Sequence, residues 1–235
     1  MATLGQIATW VAQNKLQRPD VEADVIELCE DALISICSKV PFDELRTIGS
    51  ELSITSGQGY VDISAVTPAI AGIISVRYTK SSTVKRMLMP TVYEEFHNRV
   101  LSSGEPARYA RVAKKLYFDK TPNASGWTIQ LYYWSLPTIS AQPTDTTLPW
   151  SQEWDELLKY ETLYRAYIHV EEHMKAAMLM GPSMMPRQAS PKRIASGGEI
   201  GIIPRLWNDC LRTIGSREGI HSSMGINPII RGYGG

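Results

Sequence analysis

The spacing of apolar residues predicts helices near both ends of the chain. Apolar residues recur at intervals of three and four over 2–16 and again over 20–40, which is the pattern of one buried helix face. Pro19 separates the two segments and Pro41 ends the second, so they are expected to form a helical hairpin. A third stripe predicts one long helix over 151–180, about 45 Å in length.

Between these helices the apolar period changes from helical spacing to two. Alternation over 44–136 predicts several short antiparallel strands, interrupted by a short helix over 91–100. In the strand that begins at Trp127, every second residue is large and apolar, so this strand is expected to bury one face. The predicted class is α+β: a helical bundle, made of the N-terminal helical hairpin and the long C-terminal helix, with an inserted small antiparallel β-domain and an extended C-terminal arm.

The last 55 residues differ in composition from the rest. Residues 181–235 contain 10 of the 17 glycines and 5 of the 14 prolines. The pattern predicts a body over 1–180 and an extended Gly/Pro-rich arm over 181–235 that orders against a partner. The apolar residues expected to anchor the arm at a subunit interface, with Trp207 the best single candidate, are Ile202, Ile203, Leu206, Trp207, Ile229, Ile230 and Tyr233.

Charge and cysteine content narrow the class of protein. The net charge is zero, which gives no overall case for nucleic-acid or membrane binding, although the arm carries seven Lys/Arg against three acids. The three cysteines do not resemble a disulfide framework, because Cys29 and Cys37 are eight residues apart on one predicted helix. No apolar run approaches the ~20 residues of a membrane span. We expect a chain made in a reducing cytosol.

One pattern suggests catalysis. His169, Glu172 and His173 match H-x-x-E-H, in which two histidines one helical turn apart share a zinc ion and the glutamate polarises a bound water. A solvated stretch of helix is the favoured interpretation, since three constrained positions carry little information and a third ligand is not evident. Cys29 and Cys37 are expected to be buried and inert. The sequence therefore predicts no enzyme, no catalytic residue, no metal and no cofactor.

The stretch 104–173 resembles the adaptor, or head-completion, proteins found below the portal of tailed bacteriophages. The similarity is one of order and spacing over about 20–180, without a catalytic signature. The residues that carry it are Gly104-Glu105-Pro106 with Tyr109, Leu116-Tyr117-Phe118, Pro122, Tyr132-Tyr133 with Pro137, Ser140, Asp145-Thr146, Leu148-Pro149, and Trp154 to His173.

The resemblance implies a structural virion protein of the phage neck. It implies a homo-oligomeric ring, expected to be a dodecamer, that joins the portal to the tail or to further neck proteins around the DNA channel, with non-specific contact to channel DNA as an additional expectation. The alternatives are another neck or tail protein (a stopper, a tail terminator or a fibre-attachment protein), a zinc hydrolase using His169, Glu172 and His173, and a DNA-binding module using the basic arm.

Overall fold

The computed structural model describes residues 2–80, 84–97, 102–150, 152–180 and 202–218. Two compact units divide the chain. The first, here called the helical unit, comprises Met1–Val40 and Ile139–Gly235, and the second, the sheet unit, comprises Pro41–Thr138. The sheet unit is therefore an insertion between two helical segments of the chain. In the described ranges no helix is long and apolar enough to cross a membrane.

The N-terminal helical segments follow the predicted boundaries. Helix α1 (Leu4–Thr9) begins with a capping box, in which the Thr3 hydroxyl accepts from the Gln6 amide and the Gln6 side chain accepts from the Thr3 amide. It continues as a π-helical segment, Trp10–Leu16. Helix α2 (Glu22–Lys39) follows a short 3-10 turn and turns its apolar side inward. The two predicted helices are present.

The long helix predicted over 151–180 is interrupted, so that prediction is wrong in part. The structure contains α4 (Asp155–His169) and α5 (His173–Met180), while the intervening Glu171 adopts a left-handed φ of 62°. The Glu171 and Glu172 amides donate back to the carbonyls of Ile168 (3.1 Å) and Tyr167 (2.7 Å). This is the bonding of a Schellman motif, which satisfies the last carbonyls of α4 and ends the helix there. The apolar period does not reveal it, because both helices keep an apolar side.

The helical unit buries the apolar sides of its N-terminal segments against α4. One cluster is formed by small and branched residues, which allow the helices to approach closely. Its buried members are Ala8, Val11, Ala12, Val21, Val25, Leu163 and Ala166. A sixth helix, α6 (Ile202–Glu218), packs against α4 and α5 of the same unit.

The sheet unit contains a seven-stranded sheet in the order β1-β7-β3-β4-β5-β6-β2. All neighbouring strands are antiparallel except β4 and β5, which are parallel. The mixed α+β class is thus confirmed, with one parallel pair in the predicted antiparallel domain. The strands are β1 (Arg46–Ile54), β2 (Tyr60–Asp62), β3 (Ile70–Thr79), β4 (Lys85–Pro90), β5 (Arg108–Val112), β6 (Lys115–Phe118) and β7 (Trp127–Ser135).

Strand β7 organises the sheet because it pairs with β1 on one side and β3 on the other. Its alternate residues from Trp127 to Tyr133 are buried and the residues between them are half-buried, as the apolar alternation predicts. The core they enter also contains Tyr78 and Phe118. Of the helix predicted over 91–100, the structure describes α3 (Glu94–His97), and 98–100 lie outside the described residues.

Candidate interaction surfaces

The histidine motif does not form a zinc site. His169 ends α4 and His173 begins α5, so the left-handed Glu171 between them removes the shared helix face that a two-histidine site requires. His169 Nε2 lies 3.3 Å from an Asp24 carboxylate oxygen, and Glu172 forms an ion pair with Lys175 at 2.7 Å. In the part of the chain that the structure describes, no three His, Cys, Asp or Glu residues are grouped to hold a metal. The zinc hydrolase alternative has no support.

The thiols of α2 act as packing groups. Cys29 and Cys37 are buried, and burial raises the pKa of each thiol to about 12. A thiol that holds its proton far above neutral pH is a poor nucleophile. The expectation that these two cysteines are buried is confirmed, and they belong to the core of the helical unit.

Helix α6 carries four of the seven predicted anchor residues. Ile203 is buried, while Ile202, Leu206 and Trp207 are half-buried. Cys210, one turn beyond Trp207, is also buried and lies near Cys37 of α2. The apolar side of α6 therefore faces other helices of its own chain. Ile229, Ile230 and Tyr233 lie outside the described residues.

Trp207 connects α6 to two other helices. Its indole N–H donates to a Glu161 carboxylate oxygen on α4 at 3.4 Å, and the Lys39 ammonium at the end of α2 lies 5.3 Å from the ring centroid. The indole thus combines a charge-assisted hydrogen bond with a cation–π contact. Trp207 was predicted from the sequence as an anchor between subunits, which stays a prediction. Its contacts with Lys39 and Glu161 were not predicted, since these residues are distant from Trp207 in sequence.

The prediction that the C-terminal segment is extended is wrong for 202–218. These residues form a 17-residue helix that contains Pro204 in its first turn, where proline lacks only an amide that has no intrahelical partner. Averaging composition over all of 181–235 combined this amphipathic segment with its Gly- and Pro-rich flanks. Inspection of 202–213 alone shows apolar residues at helical spacing, which was the available signal.

The exposed side of α2 is acidic. Between Arg18 and Lys39 the sequence contains six carboxylates and no Lys or Arg. Four residues at intervals of three and four form an exposed line along the helix, which we call the α2 stripe: Asp24, Glu27, Asp31 and Ile34. Within the described ranges Glu27 and Asp31 form no ion pair, so their charges are available to a partner.

The outer face of the sheet unit is apolar and basic. We use this name for the side of β1, β7, β3 and β4 opposite the core. Cross-strand pairs place Ile48 beside Tyr132, Arg46 beside Trp134, and Arg77 beside Met87. Three of the largest exposed apolar side chains belong to this face: Ile48 (67% exposed), Met87 (56%) and Met89 (69%). This surface was not predicted from the sequence, although Met87 and Met89 flank the buried Leu88 at strand period.

Comparison with known proteins gives a family match. Residues 2–184 match the family model described as SU10 adaptor protein, which is more than three quarters of the chain and includes the whole sheet unit. None of the curated proteins compared with the chain matches it.

Proposed function

Because the chain belongs to the SU10 adaptor protein family, we propose that it forms the ring that joins the portal of a tailed phage to the tail around the DNA channel. Members of this family are structural, non-enzymatic phage proteins of the virion. The observation that carries the finer proposal is the family match over 2–184, together with the resemblance of 104–173 to head-completion proteins. We expect twelve copies, with portal on one side and tail or further neck proteins on the other.

An amber mutation in the gene for this protein tests the role directly. Growth in a non-suppressing host is expected to yield DNA-filled heads and separate tails, and adding the purified protein is expected to restore joining in extracts. A matched control is the same experiment in a suppressing host. Normal virions under non-suppressing conditions would contradict the proposal. Empty heads with joined tails would instead indicate a role in DNA packaging.

We propose that the arm residues anchor one subunit to the next. In the structure the apolar side of α6 lies on helices that every copy possesses, so the same position exists on each neighbour. The 21 residues between Met180 and Ile202 set an upper limit of ~70 Å on the distance that an exchanged α6 could cross to an adjacent copy. Exchange of identical elements in this way forms oligomers at small cost to the monomer. The proposed anchors are Ile202, Ile203, Leu206, Trp207, Ile229, Ile230 and Tyr233.

Photocrosslinking distinguishes α6 bound within its own chain from α6 bound to a neighbour. Benzoylphenylalanine at Leu206 would be activated in assemblies made from equal parts of unlabelled and heavy-isotope chains. Exchange predicts crosslinked peptides that join a light α6 to a heavy α4 or α5. Finding only single-isotope products in the assembly would show that α6 stays on its own chain, and placing the crosslinker at exposed Asn208 provides the background.

A further inference from the structure

The apolar positions of the outer face lie in cross-strand rows. One row crosses β1, β7 and β3 and contains Ile48, Tyr132 and Ser75. The next row, which is closer to the β3–β4 turn, crosses all four strands and contains Glu51, Gln130, Arg77 and Met87. Four strands at ~4.8 Å spacing give the face a width of nearly 20 Å, enough for one helix to lie across it. Apolar side chains exposed to this degree and grouped on one sheet face mark an interaction surface.

Cations outnumber carboxylates around these apolar residues, although Glu51 lies on the same face. Arg77 and Lys85 are exposed on the outer face and, in the described part of the chain, form no ion pair. Arg46 contributes a third cation, with Asp43 at 2.7 Å and the Trp134 ring at 6.0 Å. The sequence composition agrees, since 41–138 contain 11 Lys/Arg against 8 Asp/Glu, which leaves 13 against 16 in the rest of the chain. The occupant of the outer face should therefore be acidic with an apolar component.

The α2 stripe has the chemistry that this face requires. It presents three carboxylates and Ile34 along eleven residues of helix, about 15 Å from Asp24 to Ile34. Its carboxylates are matched by Arg77 and Lys85, which form no ion pair among the described residues, and Ile34 is matched by the exposed methionines and Ile48. Two outer faces would instead repel each other, and so would two α2 stripes. The charges therefore favour contact between different surfaces of two copies.

We propose that the outer face of the sheet unit of one copy docks on the α2 stripe of a second copy. This inference rests on the proposed function, because it supplies the contact between neighbours in the ring. A contact between two different patches is heterologous, and heterologous contacts close into rings when the rotation between copies is a whole fraction of a turn. Each copy would use its outer face toward one neighbour and its α2 stripe toward the other.

Charge reversal in two complementary variants tests the contact. Variant one is Arg77→Glu with Lys85→Glu, and variant two is Glu27→Lys with Asp31→Lys. Each variant alone places like charges in every contact, so self-association measured by sedimentation or mass photometry is expected to weaken at least tenfold. Circular dichroism of each variant checks that it remains folded. The matched controls, which reverse exposed charges outside both surfaces, are Lys114→Glu and Glu156→Lys.

Mixing provides the decisive measurement. In an equal mixture of the two variants, alternation of the chains makes every contact complementary again, so association is expected to return to within about threefold of wild type. Failure of the mixture to associate, or undiminished association of either variant alone, would overturn the contact. Wild-type chains that stay monomeric would overturn it as well. The amber-mutant phenotype tests the adaptor role independently, so an intact role with unaffected variants would indicate a different ring contact.

Discussion

Replacing Trp207 with alanine is expected to release α6 from the helical unit. The substitution removes the hydrogen bond to Glu161, the contact with the Lys39 ammonium and the packing of a half-buried indole. At 3.4 Å the hydrogen bond is long, so we assign it about 1 kcal/mol. The cation–π contact contributes about 0.5–1 kcal/mol and the lost apolar burial about 1–1.5 kcal/mol. The sum is about 3 kcal/mol, which corresponds to roughly a 100-fold increase in the undocked population.

Native-state labelling of Cys210 measures this equilibrium. Cys210 is fully buried on the same helix, so a thiol reagent reaches it only when α6 opens. Alkylation followed by peptide mass spectrometry separates Cys210 from Cys29 and Cys37, and the Cys210 rate is expected to rise about 100-fold in the alanine variant. Trp207→Phe keeps a ring for Lys39 but loses the donor, so a rise of about tenfold is expected.

The labelling of Cys210 can also contradict the role assigned to Trp207. If the labelling rate of Cys210 in Trp207→Ala stays within about threefold of wild type, the indole contributes less than about 0.7 kcal/mol and the contacts to Glu161 and Lys39 do not hold the helix. Asn208→Ala, at an exposed position of α6, should leave the rate unchanged. Alanine favours a helix more than asparagine does, so an equal rise in both variants would show a general disturbance of α6 and not the loss of the indole contacts.

Two further predictions concern stability. Leu131 is 1% exposed in the sheet core, so Leu131→Ala leaves a cavity and should lower the free energy of unfolding by about 2–5 kcal/mol in a urea titration. The control Lys114→Ala, in an exposed turn, should change the free energy of unfolding by less than about 0.5 kcal/mol. Burial raises the pKa of the Cys29 and Cys37 thiols from 9.0 to about 12, so between these values the unfolded chain loses protons that the folded chain keeps. Stability should therefore fall as pH rises from 9 to 12, by about 1.4 kcal/mol per pH unit for each thiol, and Cys37→Ala should reduce the slope; a profile unaffected by this substitution would contradict the assignment.

The spacing of apolar residues predicted a helix or strand correctly wherever one side of that element is buried. The alternation of β7 predicted which residues face the core, because a strand buried on one face must place every second side chain inward. The apolar sides of 2–16 and 20–40 predicted helices for the same reason. Burial of Cys29 and Cys37 followed from their place on the apolar side of α2, opposite the acidic α2 stripe.

Periodicity failed where backbone geometry or distant contacts decided the outcome. The α4–α5 break depends on the left-handed backbone of Glu171, a conformation that residues other than glycine rarely adopt, so neither composition nor spacing indicated it. The break also separated His169 from His173, which the five-residue motif had placed on one helix. In 181–235 the abundance of Gly and Pro concealed a helix that is stable because Ile203 and Cys210 are buried against other helices.

The amino-acid sequence by itself determined the N-terminal helices and which sides of α2 and β7 are buried, because these depend on local spacing. The structural role was implied by the resemblance of 104–173 to phage adaptor proteins, and the family match supports it. Only the tertiary structure decided which distant residues meet: β1 with β7, Trp207 with Glu161 and Lys39, and Met87 with Arg77 on one exposed face. Pairings of this kind are set by the packing of whole elements, since a side chain at one position carries no information about its distance from another position far along the chain.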